Sequence, residues 1–135
     1  GLVGMFSKDP VPACGGSLGL ERILLLLDEK AGERAPLGIP QVVVTVWDEA
    51  GRGGALALAS AVRRAGASVE VFPGDGAIGK QLKYAAGKQA RVALIVGPDE
   101  AAAGNVQVKD LAANAQRVVP QAEAPAAVAA ILGLG

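Results

Sequence analysis

The residues best suited to bind a charged ligand lie near the start of the chain, at positions 13–27. This segment, ACGGSLGLERILLLL, places small residues before Glu21 and Arg22 and follows them with five consecutive apolar residues. Arg22 carries a planar, permanently charged guanidinium that suits phosphate. Its counter-anion is either Glu21 or the phosphate of a ligand, and the segment alone leaves both open. The apolar run at residues 23–27 predicts a helix that is covered on several faces.

A second group of candidate binding residues lies in the segment GKQLKYA at residues 79–85. Four basic residues and no acidic residue occur between positions 76 and 98. Helical spacing places Lys80, Lys83 and Tyr84 on the face opposite the apolar side chains. Cations beside an aromatic ring suit the phosphates and unstacked bases of single-stranded RNA. The alternative is an ordinary solvated helix face.

The turn before that helix resembles a phosphate-binding loop in one respect only. Residues 74–81, GDGAIGKQ, match the pattern G-x-x-x-x-G-K but carry Gln81 where Ser or Thr is needed to ligate Mg²⁺. A nucleotide-binding loop therefore remains an alternative function, while the simpler interpretation is a glycine-rich turn that starts a helix.

Composition excludes several classes of chemistry. The 135 residues, 51% of them hydrophobic, suffice for one domain with a fragment of another. The chain has no histidine and a single cysteine, which excludes intramolecular disulfides, Cys/His zinc sites and histidine-based catalysis. Cys14 is therefore interpreted as a small packing residue. Thirteen basic and thirteen acidic residues cancel, so any nucleic-acid binding must come from a local patch. The chain has neither a membrane-spanning run nor a signal peptide, which favours the cytoplasm.

The order of predicted elements indicates an α/β fold. After a stretch rich in Gly, Pro and charge at residues 28–40, a β-branched run at residues 41–47 predicts a buried strand. A helix at 53–65, a strand at 68–73, a helix at 77–89 and a strand at 91–97 follow. Strands that alternate with helices favour a parallel sheet with right-handed crossovers.

The last part of the chain predicts an antiparallel addition to that sheet. A short helix begins at Pro98 and is closed by Gly104. Two short strands at 105–111 and 116–120 form a hairpin, and an Ala-rich helix covers residues 124–132. We therefore expect a mixed five-stranded sheet flanked by helices.

Four segments carry a family resemblance. GGSLGLER at residues 15–22 resembles motif 3 of class II aminoacyl-tRNA synthetases, and the histidyl-tRNA synthetases are the most similar of them. GKQLKYA at 79–85, LIVGPDE at 94–100 and GNVQVKDL at 104–111 are similar to the anticodon-binding domain of the same enzymes. The resemblance implies a strand-helix remnant of the catalytic domain at residues 1–30, a linker at 31–39 and an anticodon-binding domain at 40–135.

The resemblance also implies roles for individual residues. Arg22 would act in catalysis by contacting the ATP phosphates, and the backbone at Gly15, Ser17 and Gly19 would line the nucleotide. The tRNA-binding residues carried over from the matching motifs, with two weaker candidates on the hairpin at the end, are Lys80, Gln81, Lys83, Tyr84, Lys109 and Gln116. No metal-binding residue is implied within the chain.

The parent enzyme implied by the resemblance is a histidine-tRNA ligase. It would be a cytoplasmic homodimer without membrane contact that forms histidyl-adenylate from histidine and ATP, with Mg²⁺, and charges the histidine tRNA. The other catalytic motifs lie upstream in this family, so the 135-residue chain is expected to be inactive alone, to need no cofactor and to bind the anticodon region of the tRNA.

Two alternatives remain open. The first is a synthetase-like regulatory or interaction protein that has lost aminoacylation. The second is a small nucleotide-binding α/β protein that uses the loop at Gly74.

Overall fold

The computed structural model of the chain describes residues 5–6, 14–31 and 38–134. It divides the chain into two units, Gly1–Ala35 and Pro36–Gly135. No helix in these described ranges is both long and apolar enough to span a membrane. The strand expected in the remnant, and positions 32–37 of the expected linker, lie outside the described residues.

The first unit contains helix α1 (Leu20–Ala31). The helix begins directly after Gly19, whose carbonyl accepts a hydrogen bond from the Ile23 N–H at 3.0 Å. The five apolar side chains from Ile23 to Leu27 are 38–66% exposed. The cover over several faces of this helix therefore stays a prediction, because the apolar run is left partly exposed among the residues that the structure describes.

The second unit is built on a five-stranded sheet with the strand order β2-β1-β3-β4-β5. Strands β1 and β3 are parallel, as are β1 and β2, whereas β3, β4 and β5 pair antiparallel. The prediction of a mixed five-stranded sheet flanked by helices is confirmed. The elements are β1 (Val42–Val44), α2 (Arg52–Arg64), β2 (Val69–Val71), α3 (Ile78–Gly87), β3 (Val92–Ile95), α4 (Pro98–Ala103), β4 (Asn105–Asp110), β5 (Ala115–Pro120), a 3₁₀ helix (Gln121–Glu123) and α5 (Ala124–Leu132).

The central strands are apolar along their whole length because helices cover both faces of the sheet. On one face, Val42 and Val44 of β1 belong to the main core together with Val62 of α2 and Val128 of α5. On the other face, Val43 packs in a smaller cluster with Ala85 of α3. Period-2 alternation thus assigns successive valines of one strand to different helices.

Strand β1 is shorter than predicted because its neighbour on one side turns away. The last backbone bond from the β2 side joins the Phe72 N–H to the Val44 carbonyl at 2.9 Å, and the last from β3 joins the Thr45 N–H to the Leu94 carbonyl at 2.9 Å. The crossover from β1 through α2 leads to β2 on one side of β1, and the next crossover, from β2 through α3, leads to β3 on its other side. The carboxyl ends of β1 and β3 therefore form a topological switch point, where open α/β sheets bind ligands.

Candidate nucleic-acid interface

A cavity of about 480 Å³ opens at the carboxyl ends of β1 and β3. The segment after β1 and the first turns of α2 and α4 form its walls, and Gln121 of the 3₁₀ helix also lines it. The lining is mainly apolar, with Ala55, Val96 and Pro98 among its residues, and polar groups come from Thr45 and Asp48. An apolar hollow with a few polar groups is the usual form of a site for a small planar group.

Trp47 supplies an aromatic surface at this cavity. It is the single tryptophan of the chain, and 46% of it is exposed. A large aromatic ring that is left half in solvent can stack on a planar partner such as a nucleobase.

Gly97 allows Trp47 and Glu100 to lie close to the backbone after β3. A Cβ atom at Gly97 would lie 2.7 Å from Glu100 Oε2 and 4.0 Å from Trp47 Cε3. Any larger residue would therefore displace the Glu100 carboxylate, which accepts a hydrogen bond from the Gly97 N–H at 3.1 Å.

Thr45 contributes a polar group that has no partner in the described part of the chain. The residue is 1% exposed, and its Oγ1 is buried without a hydrogen bond. A buried hydroxyl without a partner destabilises a fold by about 1–3 kcal/mol. Thr45 is among the residues that line the cavity, but its Oγ1 is not exposed to the solvent there.

A row of hydrogen-bonded polar side chains extends from Glu100 across the hairpin. Gln107 Nε2 donates to Glu100 Oε1, and Gln107 Oε1 accepts from Gln116 Nε2 at 3.0 Å. The hydrogen bond from Gln107, together with backbone N–H groups, lowers the pKa of Glu100. The carboxylate therefore stays ionised and orients the two amides beside it.

Lys109 lies next to this polar row. It is directly opposite Gln116 in the β4–β5 register, and alternation places it on the face of β4 away from the buried Val106 and Val108. The structure thus brings together the two predicted hairpin residues, Lys109 and Gln116. It adds Trp47, Glu100 and Gln107, which sequence reasoning missed.

Helix α3 begins beside the same edge of the sheet. Lys80 in its first turn and Lys83 are exposed. The turn before the helix contacts Trp47 directly, since the Gly76 N–H donates to the Trp47 carbonyl at 3.1 Å. Gly76 has φ +92°, which a residue with a side chain rarely adopts. The glycine-rich segment is thus a turn that starts a helix.

Gln81 cannot contact tRNA from where it lies, so that prediction needs correction. The side chain is fully buried at 0% exposure. Its amide donates to the carbonyls of Val46 and Gly76 at 2.7 and 2.9 Å, and its oxygen accepts from the Val46 N–H at 2.9 Å. Helical spacing predicts that apolar side chains occupy the buried face of this helix, whereas the polar side chain of Gln81 lies there.

Tyr84 is also not the open stacking surface predicted beside Lys80. Its hydroxyl donates to Glu70 of β2, and its ring packs edge-on against Phe72 with centroids 5.2 Å apart. Lys88 Nζ lies 5.4 Å from the centroid of the same ring and 3.5 Å from Glu70 Oε2. The bond to Glu70 raises the pKa of Tyr84, and Tyr84 with Glu70 raises the pKa of Lys88. Tyr84 therefore joins α3 to the edge strand.

In the first unit, the predicted nucleotide-binding residues lie at or just before the start of α1. Gly15, Ser17, Gly19 and Arg22 are all exposed. Arg22 forms no ion pair with any residue that the structure describes, Glu21 included. The residues that the structure describes contain no cluster of three or more side chains able to hold a metal ion.

Comparison with known proteins gives a family for the second unit. The anticodon binding domain family matches residues 41–131. This chain belongs to that family. The matched range begins just before β1 and ends within α5, so it contains the cavity, the polar row and the exposed lysines of α3.

The relatives of this anticodon binding domain are tRNA ligases. The chain is 42% identical over 129 residues to a histidine–tRNA ligase of Rhodopirellula baltica, covering 94% of this chain and 29% of that protein. It is 44% identical over 121 residues to that of Paracoccus denitrificans, covering 86% and 24%. A histidyl-tRNA synthetase structure from a Nostoc species matches with a TM-score of 0.68 and 31% identity, over 85% of this chain and 28% of that one. The chain thus spans less than a third of these relatives, and the resemblance to histidyl-tRNA synthetases is confirmed.

Proposed function

We propose that this chain is the anticodon-reading part of a histidine-tRNA ligase and that its partner is the histidine tRNA. The observation that carries the proposal is the half-exposed Trp47 beside a cavity at the carboxyl ends of β1 and β3. Single-stranded RNA is recognised when bases leave the stack, pack on aromatic rings and expose their edges to hydrogen-bonding groups. An anticodon loop presents such bases.

The polar groups around Trp47 suit the edges of a base. Beyond the hydrogen bonds within the row, the amides of Gln107 and Gln116 have further donor and acceptor capacity. The carboxylate of Glu100 accepts only, which favours a base edge that carries N–H groups.

The lysines of α3 and β4 suit the phosphate backbone. Lys80 and Lys83 on α3 and Lys109 on β4 carry the positive charge. Phosphate contacts supply most of the sequence-independent affinity of a nucleic-acid site, while contacts to base edges supply the specificity. We assign the first role to the lysines and the second to the row of Glu100, Gln107 and Gln116.

For the first unit we propose the role that motif 3 implies. Arg22 would contact the ATP phosphates in the catalytic domain of the parent ligase, with Gly15, Ser17 and Gly19 lining the nucleotide. The fit rests on an exposed guanidinium at the start of α1 and on the space around Gly15, since a Cβ there would have no neighbour within 4 Å. Histidine as the second substrate, Mg²⁺, a cytoplasmic homodimer, and a chain that is inactive alone belong to the same proposal.

Replacement of Trp47 tests the RNA site. We expect Trp47→Ala to weaken binding of a histidine-tRNA anticodon stem-loop by about 1–3 kcal/mol, the range for stacking of one base on an aromatic ring. Fluorescence anisotropy of a labelled stem-loop measures the affinity. Leu56→Ala is the matched control, because Leu56 is 50% exposed, close to the 46% of Trp47, but lies on α2 outside the cavity lining. Equal affinities for both variants would contradict the proposed site.

A further inference from the structure

The backbone just before Trp47 is held by a side chain instead of a neighbouring strand. Pairing from the β2 side stops at the Val44 carbonyl. Two residues later, the Val46 N–H donates to Gln81 Oε1 at 2.9 Å, and the Val46 carbonyl accepts from Gln81 Nε2 at 2.7 Å. At Val46, the carboxamide of Gln81 therefore forms the hydrogen bonds that β2 forms with the preceding residues of β1.

The same amide holds the segment that contacts Trp47 from the other side. Gln81 Nε2 also donates to the Gly76 carbonyl at 2.9 Å, and the Gly76 N–H donates to the Trp47 carbonyl at 3.1 Å. Gln81 thus binds two residues that hold the Trp47 backbone in place. Val46 precedes Trp47 in the chain, and Gly76 donates to the Trp47 carbonyl.

We propose that Gln81 is a positioning residue that fixes the Trp47 ring for stacking on an RNA base. The inference rests on the proposed function, because it assigns to Gln81 the orientation of the aromatic surface used there. Stacking depends on ring orientation, and the ring is carried by a segment that has left the sheet. Without the amide, the buried N–H and carbonyl of Val46 would have no partner, and the backbone would move to satisfy them.

The test replaces Gln81 with a side chain of similar length that has no amide. Gln81→Met keeps the buried volume and removes all three hydrogen bonds. The matched control is Ala85→Gly, which destabilises α3 one turn further along at a site that is also 0% exposed but has no bond to Val46. Both variants are compared well below their unfolding midpoints by acrylamide quenching of the single tryptophan and by affinity for the anticodon stem-loop.

We expect Gln81→Met to change the quenching of Trp47 and to weaken RNA binding at least about fivefold, the lower end of the stacking range. Ala85→Gly should leave the quenching of Trp47 and the RNA affinity unchanged, even where it lowers the unfolding midpoint as much as Gln81→Met does. In a Trp47→Ala background, Gln81→Met should weaken RNA binding no further, because the residue acts through the ring. Additive losses in that double variant, or equal effects of Gln81→Met and Ala85→Gly, would overturn the proposal.

A second variant keeps the inference testable if Gln81→Met does not fold. Gln81→Glu retains an oxygen that can accept from the Val46 N–H but places a carboxylate oxygen against the carbonyls of Val46 and Gly76. It should also change the Trp47 quenching and weaken RNA binding, and unchanged values would contradict the positioning role. If the proposed RNA site itself were wrong, the result would differ from a wrong positioning role, because Trp47→Ala would then leave the RNA affinity unchanged.

Discussion

At the scale of single residues, the proposed site divides the work of binding RNA between lysines and amides. Lys80 and Lys83 project from the exposed side of α3, where a phosphate can approach without displacing a protein partner. Gln107 and Gln116 are held in the row that ends at Glu100. In the proposed site, the charge of the lysines therefore sets the affinity for RNA, and the oriented amides set the preference among bases.

The salt dependence of binding separates these two roles. Each phosphate contact on single-stranded RNA contributes about 0.7 to the slope of log affinity against log salt. We expect the double variant Lys80→Ala/Lys83→Ala to weaken binding and to reduce that slope by roughly 1.4. Anisotropy titrations of the stem-loop at several salt concentrations measure it. As a control, Gln107→Ala should lower the affinity but leave the salt slope unchanged. An unchanged salt slope in the double lysine variant would rule out phosphate contacts on α3.

At the scale of elements, the β4–β5 hairpin is held at its turn end by an ion pair between Arg91 and Asp110. Arg91 Nε and a terminal nitrogen of its guanidinium donate to the two oxygens of Asp110 at 2.8 and 2.9 Å. Asp110 Oδ1 also accepts from the N–H groups of Ala112 and Ala113 at 3.0 Å each. These hydrogen bonds, of which those from Arg91 have the largest effect, lower the pKa of Asp110 from 3.8 to about 2.

The lowered pKa predicts how hairpin stability depends on pH. Because the folded state favours the Asp110 carboxylate, its contribution is complete above the unfolded pKa of 3.8 and is lost as the pH falls towards about 2. Asp110→Asn should therefore lower the unfolding midpoint at pH 7, and the difference from the unchanged protein should shrink below about pH 4. Thermal unfolding monitored by circular dichroism across pH measures this.

A second carboxylate provides the control for that experiment. Asp75 is exposed in the turn before α3 and forms no hydrogen bond or ion pair with any residue in the described ranges. Asp75→Asn should leave the pH profile of stability nearly unchanged. If Asp110→Asn also left the pH dependence of the unfolding midpoint unchanged, the ion pair would not stabilise the hairpin.

The elements also show what could be predicted from the sequence. Apolar periodicity, with Pro98 and Gly104 at the ends of α4, located the five strands and helices α2 to α5 of the second unit but not the 3₁₀ helix Gln121–Glu123. Helix α5 was predicted with the bounds it has, Ala124–Leu132. The strand predicted at 41–47 ends at Val44 instead. Apolar periodicity cannot show where a neighbouring strand turns away or that a distant Gln81 replaces it, since both are tertiary effects.

The candidate site was predicted less completely than the fold, for a similar reason. Lys109 and Gln116 were predicted as weaker candidates on the hairpin, whereas Trp47, Glu100 and Gln107 were missed, although Glu100 and Gln107 lie in the matched segments 94–100 and 104–111. One available signal was the position of Trp47 at the carboxyl end of the first predicted strand of a parallel pair, where ligands bind in open α/β sheets. The burial of Gln81 and the engagement of Tyr84 depend on side-chain contacts that helical spacing does not encode.

At the scale of the whole molecule, the two units have different relations to function. The second unit belongs to the anticodon binding domain family over residues 41–131 and contains every group assigned to RNA. The first unit carries an apolar helix whose leucines are exposed among the described residues, together with the motif 3 segment assigned to ATP. We therefore expect RNA binding to depend on the second unit.

The emission of Trp47 during titration with RNA tests the central claim most directly. The single tryptophan reports on the proposed site without any label or variant. We predict a saturable change in emission with the anticodon stem-loop of histidine tRNA. The affinity should be at least about fivefold lower when the anticodon alone is replaced, since one lost base contact costs about 1–3 kcal/mol. Equal affinity for both stem-loops, or binding that leaves Trp47 emission unchanged, would contradict the account.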